Sequence, residues 1–348
     1  MQWVPLGISL FIFLLNFYFL RWVLRGLKKV KEEPSSHNPE RHSYSVIIAA
    51  HNEEKNLPHC LEVLIRQEYP LSLYEIVVVA DRCTDDTGVV VRRFQKRFPQ
   101  IRLIEIDSVP QGISPKKFAL QKGIDAAKHP HLLFVDGDVL TTTRFIQTMN
   151  QHFNKDIVAV IGLMKLRTTR TLFQRFLVFE RMLNWSVAAA GVGNKQPVIA
   201  YGGAWGYSRS AFREVNGFEG IQHCLGGDDD LVVQKFGRAN LTVAFCTNPD
   251  GWVTTEAPQS FKQFLRQRKR HISAAKYYRL KFKLGYFFFH SSNLLLWLMP
   301  LIYPPAVFLL LLRLFSGAVL INKGNKLFKE QLPFIYILPM EILFLLYN

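Results

Sequence analysis

The chain has 348 residues and carries 43 Lys and Arg against 27 Asp and Glu, a formal net charge of +16. At 49% hydrophobic and only 20% charged, with 28 Phe, it is too apolar for a disordered chain and has ample material for a core. The four cysteines (Cys60, Cys83, Cys224, Cys246) stand far apart, with no CxxC pair and no His at metal-site spacing. That argues against a zinc site or a disulfide framework and fits a reducing compartment.

The first apolar run, residues 3–20 (WVPLGISLFIFLLNFYFL), has no charge before it and Arg21, Arg25, Lys28, Lys29 and Lys31 behind it. A cleaved leader has the opposite polarity, so residues 1–25 are expected to remain as a transmembrane anchor. At ~1.5 Å per residue the run covers a hydrocarbon core of ~30 Å, and the basic cluster marks its cytoplasmic end. Residues 26–43 then read as a polar, proline-containing linker.

From residue 44 to 260 short strands alternate with helices. Tyr44–Ala50 (YSVIIAA), Glu75–Ala80 (EIVVVA), Ile101–Ile106 and His131–Val135 (HLLFV) are expected strands; Glu54–Gln67, Thr84–Phe98 and Lys116–Lys128 are expected helices. This alternation predicts an α/β domain with a mostly parallel, doubly wound sheet whose ligands bind at the carboxyl ends of the strands. The polar loops fall there: HNEE after the first strand, DRCTDD after the second, and Asp136-Gly137-Asp138 after the fourth.

Asp136 and Asp138 offer two oxygen ligands on one turn. Mg²⁺ is typically held by one or two carboxylates together with substrate phosphates, so the pair suits a cation shared with a diphosphate. Gly226-Gly227-Asp228-Asp229-Asp230 places three carboxylates ahead of an expected helix. One reading is a simple helix start; the other makes one of the three, crowded by like charges, a general base for a hydroxyl nucleophile.

Residues 261–283 (FKQFLRQRKRHISAAKYYRLKFK) interleave nine Lys and Arg with apolar residues and contain no acid. They are expected to form a basic interfacial helix on anionic headgroups. Gln267 and Arg270, three apart, share a face of it, where an Arg can meet a phosphate. The basic residues concentrate beside hydrophobic runs and no RNA- or DNA-binding motif is present, so nucleic acid is not an expected partner. Residues 284–348 are expected to supply about three further spans, split at Pro304-Pro305 and returning at Lys323, Lys326 and Lys329. Arg313 falls inside one span and should meet a partner or an aqueous cavity.

Together these motifs resemble a family 2 glycosyltransferase of GT-A fold, of the membrane-integrated kind related to cellulose, hyaluronan and chitin synthases. The resemblance covers about residues 44–271. It implies that Ala50, His51 and Glu53 line a nucleotide pocket, that Asp81 lies against the base, and that Lys116 lies near the nucleotide. It further implies Asp136 and Asp138 as a DxD motif for Mg²⁺ or Mn²⁺. YGGAWGYSRSAFREVNGF resembles the family's acceptor-side stretch, pointing to Gly202, Gly203, Tyr207 and Arg209, while Gln267 and Arg270 match the family's QxxRW signature. Counting back from Leu231 puts the catalytic base at Asp228, with Asp229 as the nearest rival. Gly227 stands where the family has Glu, and His271 where processive synthases have Trp.

The resemblance therefore implies inverting, metal-dependent transfer from a nucleotide-sugar donor to a membrane-associated, lipid-linked or glycan acceptor, without processivity. The enzyme would be integral to the plasma (inner) membrane with its catalytic domain cytoplasmic. A short processive polysaccharide synthase and an inactive nucleotide-sugar sensor remain open as alternatives.

Overall fold

The structure, a computed structural model, describes residues 3–30, 40–168 and 171–347, without the side chains at 270 and 271. Most of the expected linker, residues 31–39, thus lies outside the described residues. In chain order, α1 (Trp3–Leu27) is followed by β1 (Tyr44–Ala50), α2 (Leu57–Leu64), β2 (Tyr74–Asp81), α3 (Thr87–Arg97), β3 (Ile101–Ile106), α4 (Pro115–Ala126) and β4 (His131–Phe134). Then come β5 (Val139–Leu140), α5 (Phe145–Asn150), β6 (Ile157–Ile161), β7 (Met164–Arg167) and the long α6 (Leu172–Gly193). The remainder is β8 (Trp205–Ser208), α7 (Arg209–Glu214), α8 (Asp230–Arg238), β9 (Thr242–Phe245), β10 (Val253–Glu256), α9 (Phe261–Ala275), α10 (Leu280–Ile302), α11 (Val307–Leu327) and α12 (Ile337–Tyr347).

These elements form two units, one from the described parts of residues 31–167 and 195–277, the other from those of 1–30, 168–194 and 278–348. In the first, seven strands are ordered β3-β2-β1-β4-β8-β6-β9, and β5, β10 and β7 make a smaller sheet. Strands β1 and β2, buried almost throughout, run parallel from Tyr44↔Tyr74 to Ala50↔Ala80, so the loops after them leave the sheet side by side. Strand β4 runs parallel on the other side of β1. The mostly parallel α/β sheet is as expected, with one exception: β8 is antiparallel to both β4 and β6. Because Phe134 pairs with Trp205, the residues that enter β8 lie beside those that leave β4. This reversal brings Gly202 and Gly203 to the same sheet edge as Asp136.

At the opposite end of β1 and β4, Tyr44, His131 and Phe153 pack ring on ring with His42 beside His131. Burial first, then the nearby His42, pushes His131 down to about 4, and burial alone pushes His152 to about 4. The unfolded chain takes up these protons near pH ~6.5, whereas the folded chain does so only near 4, so their contribution costs stability progressively as pH falls through that window. These two histidines are expected to lower the thermal midpoint between pH ~6.5 and 5, against the opposite contribution of the raised Asp229 carboxyl, and His152→Phe should lessen their share of the slope. An unchanged slope in the variant would contradict this origin.

The second unit is helical. Among the described residues, Trp3–Leu27 and Pro304–Leu327 are long and apolar enough to cross a membrane. The chain breaks at Pro304-Pro305, between α10 and α11, where prolines cannot donate the next helical hydrogen bonds. Helix α12 covers 11 residues, ~16 Å at 1.5 Å rise, and is shorter than a hydrocarbon core. A Cβ on Gly26 would collide with the backbone of Ala190, and one on Gly193 with the backbone of Gly26, so small residues let α1 and α6 approach at backbone distance. Arg313, the costly charge of α11, meets Glu341 of α12 at 2.8 Å, both side chains 3% exposed. Its partner is thus an internal ion pair.

Two expectations about domain limits need correction. Residues 44–260 are not one block, because α6 belongs with the terminal helices. Its Gln174, Arg175, Glu180, Arg181 and Asn184 interrupt the apolar pattern that would have marked it. Likewise the basic helix does not run through 283: α9 ends at Ala275, with Phe264 and Ala274 buried in the α/β unit, and α10 begins at Leu280 in the helical unit.

Candidate active site

The site lies at the carboxyl edge of the large sheet, where loops after β1, β2 and β4 meet the segments that enter β8 and α8. The first two loops are tied together. Glu54 N–H donates to Asp85, Asp86 N–H to Glu54, Thr84 N–H to Asn52 and Glu53 N–H to Thr87 Oγ1, all at 2.8–3.1 Å. Asn52 and Arg82 take left-handed backbone at φ 57° and 48°, the sharp turns that leave β1 and β2.

Ala50 ends β1 and is buried, and the exposed His51 places Nδ1 2.6 Å from the Asp81 carbonyl oxygen. The Asp81 carboxylate, 5% exposed, is held by its own neighbour: Arg82 Nε at 2.8 Å and Nη2 at 3.0 Å. A base that uses Asp81 therefore has to share it with, or take it from, this guanidinium. Glu53 is half-buried beside the Asp136–Asp138 turn, where a Cβ on Gly137 would lie 3.1 Å from Glu53 Cγ. Burial chiefly, with Asp138, Asp136 and Asp85 adding and Asn56 opposing, raises its carboxyl.

The central group is Lys116, on the first turn of α4. Its Nζ lies 2.9 Å from Asp136 Oδ1 and 3.3 Å from Asp228 Oδ2. Residues 92 positions apart in sequence thus converge on one ammonium. Burial opposes the charge of Lys116, but Asp136, Asp228 and Asp229 overcome it and raise the ammonium well above its ordinary range. For Asp228, 8% exposed, burial favours the acid; Lys116 first and Lys117 next outweigh it and hold the carboxyl below its usual range.

The structure sorts the three carboxylates at the start of α8. Asp229 accepts from Gly202 N–H and from Asp230 N–H, both at 2.7 Å, and Asp230 accepts from Ala200 N–H at 3.0 Å. These two pin the segment entering β8, whereas Asp228 faces Lys116. Burial, then Asp228, pushes Asp229 up to about 6. Gly227 has φ +76°, and a Cβ there would lie 2.7 Å from Leu231 Cγ and 3.1 Å from the Ala274 Cβ of α9, which accounts for glycine at the position where the family pattern has Glu.

Gly202 and Gly203 cover the carboxylates closely. A Cβ on Gly202 would lie 3.1 Å from Asp228 Oδ2 and 3.3 Å from both Asp229 Oδ2 and Lys116 Nζ; one on Gly203 would lie 2.7 Å from Asp136 Oδ2. Asp138 is exposed at the rim. Tyr207 lies buried behind this edge, where burial first and then the Asp228 carboxylate raise its phenol. It is 1% exposed in the core, its ring 4.7 Å from Phe134 and stacked on Phe212 at 5.2 Å, because the middle of β8 faces the helices rather than the loop edge. The Arg209 guanidinium likewise turns to the carbonyls of Ala127 and His129. Gln267 is half-buried on α9, and the side chain of Arg270 lies outside the described residues. Sequence reading passed over Arg82 and Lys117; nothing in the local pattern distinguishes either from an exposed cation.

Among the described residues no group of three His, Cys, Asp or Glu is placed to hold a metal by protein ligands alone. Two carboxylates on one turn under a glycine that leaves room beside Asp136 still fit a cation whose remaining ligands come from a diphosphate.

A mostly parallel sheet with acidic side chains and two glycines gathered at its carboxyl edge is the arrangement of a GT-A glycosyltransferase. The sequence profile described as Glycosyl transferase family 21 matches residues 9–324, and the chain belongs to that family. The expected fold and glycosyltransferase family are thereby borne out, and the chain spans less than two thirds of the length of the first curated relatives it matches. Among its relatives, the "Probable glycosyltransferase YdaM" of Bacillus subtilis is 25% identical over 289 residues, covering 82% of this chain and 66% of that protein. The "Dolichyl N-acetyl-alpha-D-glucosaminyl phosphate 3-beta-D-2,3-diacetamido-2,3-dideoxy-beta-D-glucuronosyltransferase" of Methanococcus voltae is 25% identical over 323 residues, 86% of this chain and 92% of that one. The solved mannosyltransferase PcManGT of Pyrobaculum calidifontis, in complex with GDP-Man and Mn²⁺, shares the fold at TM-score 0.59 and 19% identity, with 99% of each chain covered.

Proposed function

We propose that the protein transfers a sugar from a nucleotide-diphosphate sugar to a hydroxyl of a lipid-linked acceptor, with inversion and without processivity. The observation that carries this reading is the convergence of Asp136 and Asp228 on Lys116. Asp228, kept ionised, takes the acceptor proton; the acceptor oxygen bonds the anomeric carbon from the face opposite the departing diphosphate, and the bond to the diphosphate breaks with its electron pair leaving on the phosphate oxygen. Lys116 lies where it can receive part of that charge. Asp136 and Asp138 would hold a divalent cation, which when bound neutralises the departing diphosphate. PcManGT, with its GDP-Man and Mn²⁺, and the dolichyl-phosphate-linked substrate in the name of the Methanococcus relative support the donor, cation and acceptor classes.

The two candidate spans support membrane association, and the basic cluster from Arg21 to Lys29 supports a cytoplasmic catalytic domain. On α9, Phe261, Leu265 and Ile272 are exposed at 54%, 40% and 62% and fall on one side, with Lys262, Arg266 and Lys269 exposed alongside, as suits an anionic surface. Incubating detergent-solubilised protein with a panel of nucleotide sugars, Mn²⁺ and a polyprenyl-phosphate-linked sugar should give single-sugar transfer from one donor. Failure with every donor, in enzyme that is folded, would overturn the reading.

A further inference from the structure

Next to Lys116 stands a second lysine that does something different. Lys117 is 1% exposed, and its Nζ donates to the carbonyl oxygens of Cys224 and Gly226, both at 2.6 Å. Burying an ammonium is costly unless its donors are satisfied, and here the satisfaction comes from backbone of the loop that leads into Gly227-Asp228. A second tie lies just upstream, where Ser114 N–H donates to the Gln222 carbonyl at 2.7 Å. The amino end of α4 therefore holds the chain at 222, 224 and 226.

We propose that Lys117 is a positioning residue for sugar transfer, clamping the backbone before Gly227 so that Asp228 meets Lys116 and the acceptor hydroxyl at a fixed place. The inference rests on the reading of Asp228 as the base. Downstream, Asp229 and Asp230 already tie the loop to residues 200–202. Between the two anchors lies Gly227, whose left-handed backbone has no side chain to limit its rotation, so without the upstream clamp the loop has a swivel beside the base. Consecutive positions on α4 divide the work: Lys116 faces the carboxylates of Asp136 and Asp228, and Lys117 holds the main chain. The charge itself also reaches Asp228. Burial lowers the Lys117 ammonium below its ordinary range while Asp228 pulls it the other way, so the cation favours the ionised base without touching it. A neutral donor such as Gln could hold these carbonyls in part but could not supply that field.

The test uses the full-length protein in detergent, with Lys117→Met and Lys117→Gln. Hydrogen exchange should quicken at backbone amides of residues 224–231 in Lys117→Met, with the strands β1, β2 and β4 unchanged. In steady-state transfer, kcat should fall about 10- to 10²-fold, the loss expected for a reacting group displaced by an ångström, while KM for the nucleotide sugar stays within about twofold. Lys117→Gln should recover the exchange protection in part but not kcat. Unchanged exchange in the loop, or a parallel loss of donor affinity and kcat, would overturn the proposal. If wild-type enzyme transfers no sugar at all, the functional reading fails by itself, and the exchange experiment still decides whether Lys117 clamps the loop. Should Lys117→Met not fold, Lys117→Gln carries both measurements.

Discussion

Asp228→Asn is expected to lower kcat by about 10²- to 10⁴-fold, the range for removing a general base, with nucleotide-sugar binding nearly intact. The amide is isosteric, so the loop should keep its place: Asp229 and Asp230 still accept from Gly202 and Ala200, and Lys117 still holds Cys224 and Gly226. Lys116 keeps its contact with Asp136 at 2.9 Å, so the donor side loses little. What disappears is a carboxylate able to accept a proton. The companion substitution Asp229→Asn separates the two candidates. Asp229 spends both oxygens on backbone N–H groups, an architectural role, and an amide oxygen can retain one of those bonds. Its variant should lose stability before it loses turnover. Isothermal titration with the nucleotide sugar, single-turnover transfer and thermal melts on both variants distinguish the cases. A deeper loss of single-turnover rate in a stable Asp229→Asn than in Asp228→Asn would move the base to Asp229.

The parts of this fold that were legible are those where one residue class repeats without interruption. Tyr44–Ala50 has the expected limits because a β-branched and aliphatic run buried in a parallel sheet admits little else. Helix ends moved by a few residues, as at α2, which starts at Leu57 just before Pro58 rather than at Glu54. Helix α6 was hidden because a helix buried among other helices can carry Gln174, Glu180 and Ser186 inward, and such residues erase the apolar signal. The partner of Arg313 was invisible for a related reason: Glu341 lies 28 residues on, and only packing of α11 against α12 within the helical unit brings it to 2.8 Å. At the site, the acidic loops announced themselves through their place after strands. Their assembly did not, since it depends on the reversed direction of β8, which sends Gly203 to Asp136 and folds Tyr207 into the core.

Gly203→Ala should cost at least about 10²-fold in transfer, although it adds one methyl group. The new Cβ would stand 2.7 Å from Asp136 Oδ2, 3.1 Å from its Cγ and 2.7 Å from Met164 Cε. Met164 is flexible at its tip and can give way; Asp136 has one rotatable bond before its carboxyl and must turn, leaving Lys116 and the place where a cation and diphosphate would be shared. Gly203 has no left-handed backbone to strain, so the fold should tolerate alanine. The substitution at Gly202 is milder by the same geometry, with 3.1 Å to Asp228 Oδ2 and 3.3 Å to Asp229 Oδ2 and Lys116 Nζ, and it presses on the base rather than on Asp136. The two alanines should therefore fail differently: Gly203→Ala by a raised requirement for Mn²⁺ and donor, Gly202→Ala by a lowered kcat at ordinary donor KM. Titrating Mn²⁺ and nucleotide sugar against each variant measures the split. Equal losses of the same kind in both would mean that the carboxylates at 136 and 228 do not serve opposite ends of one reacting sugar.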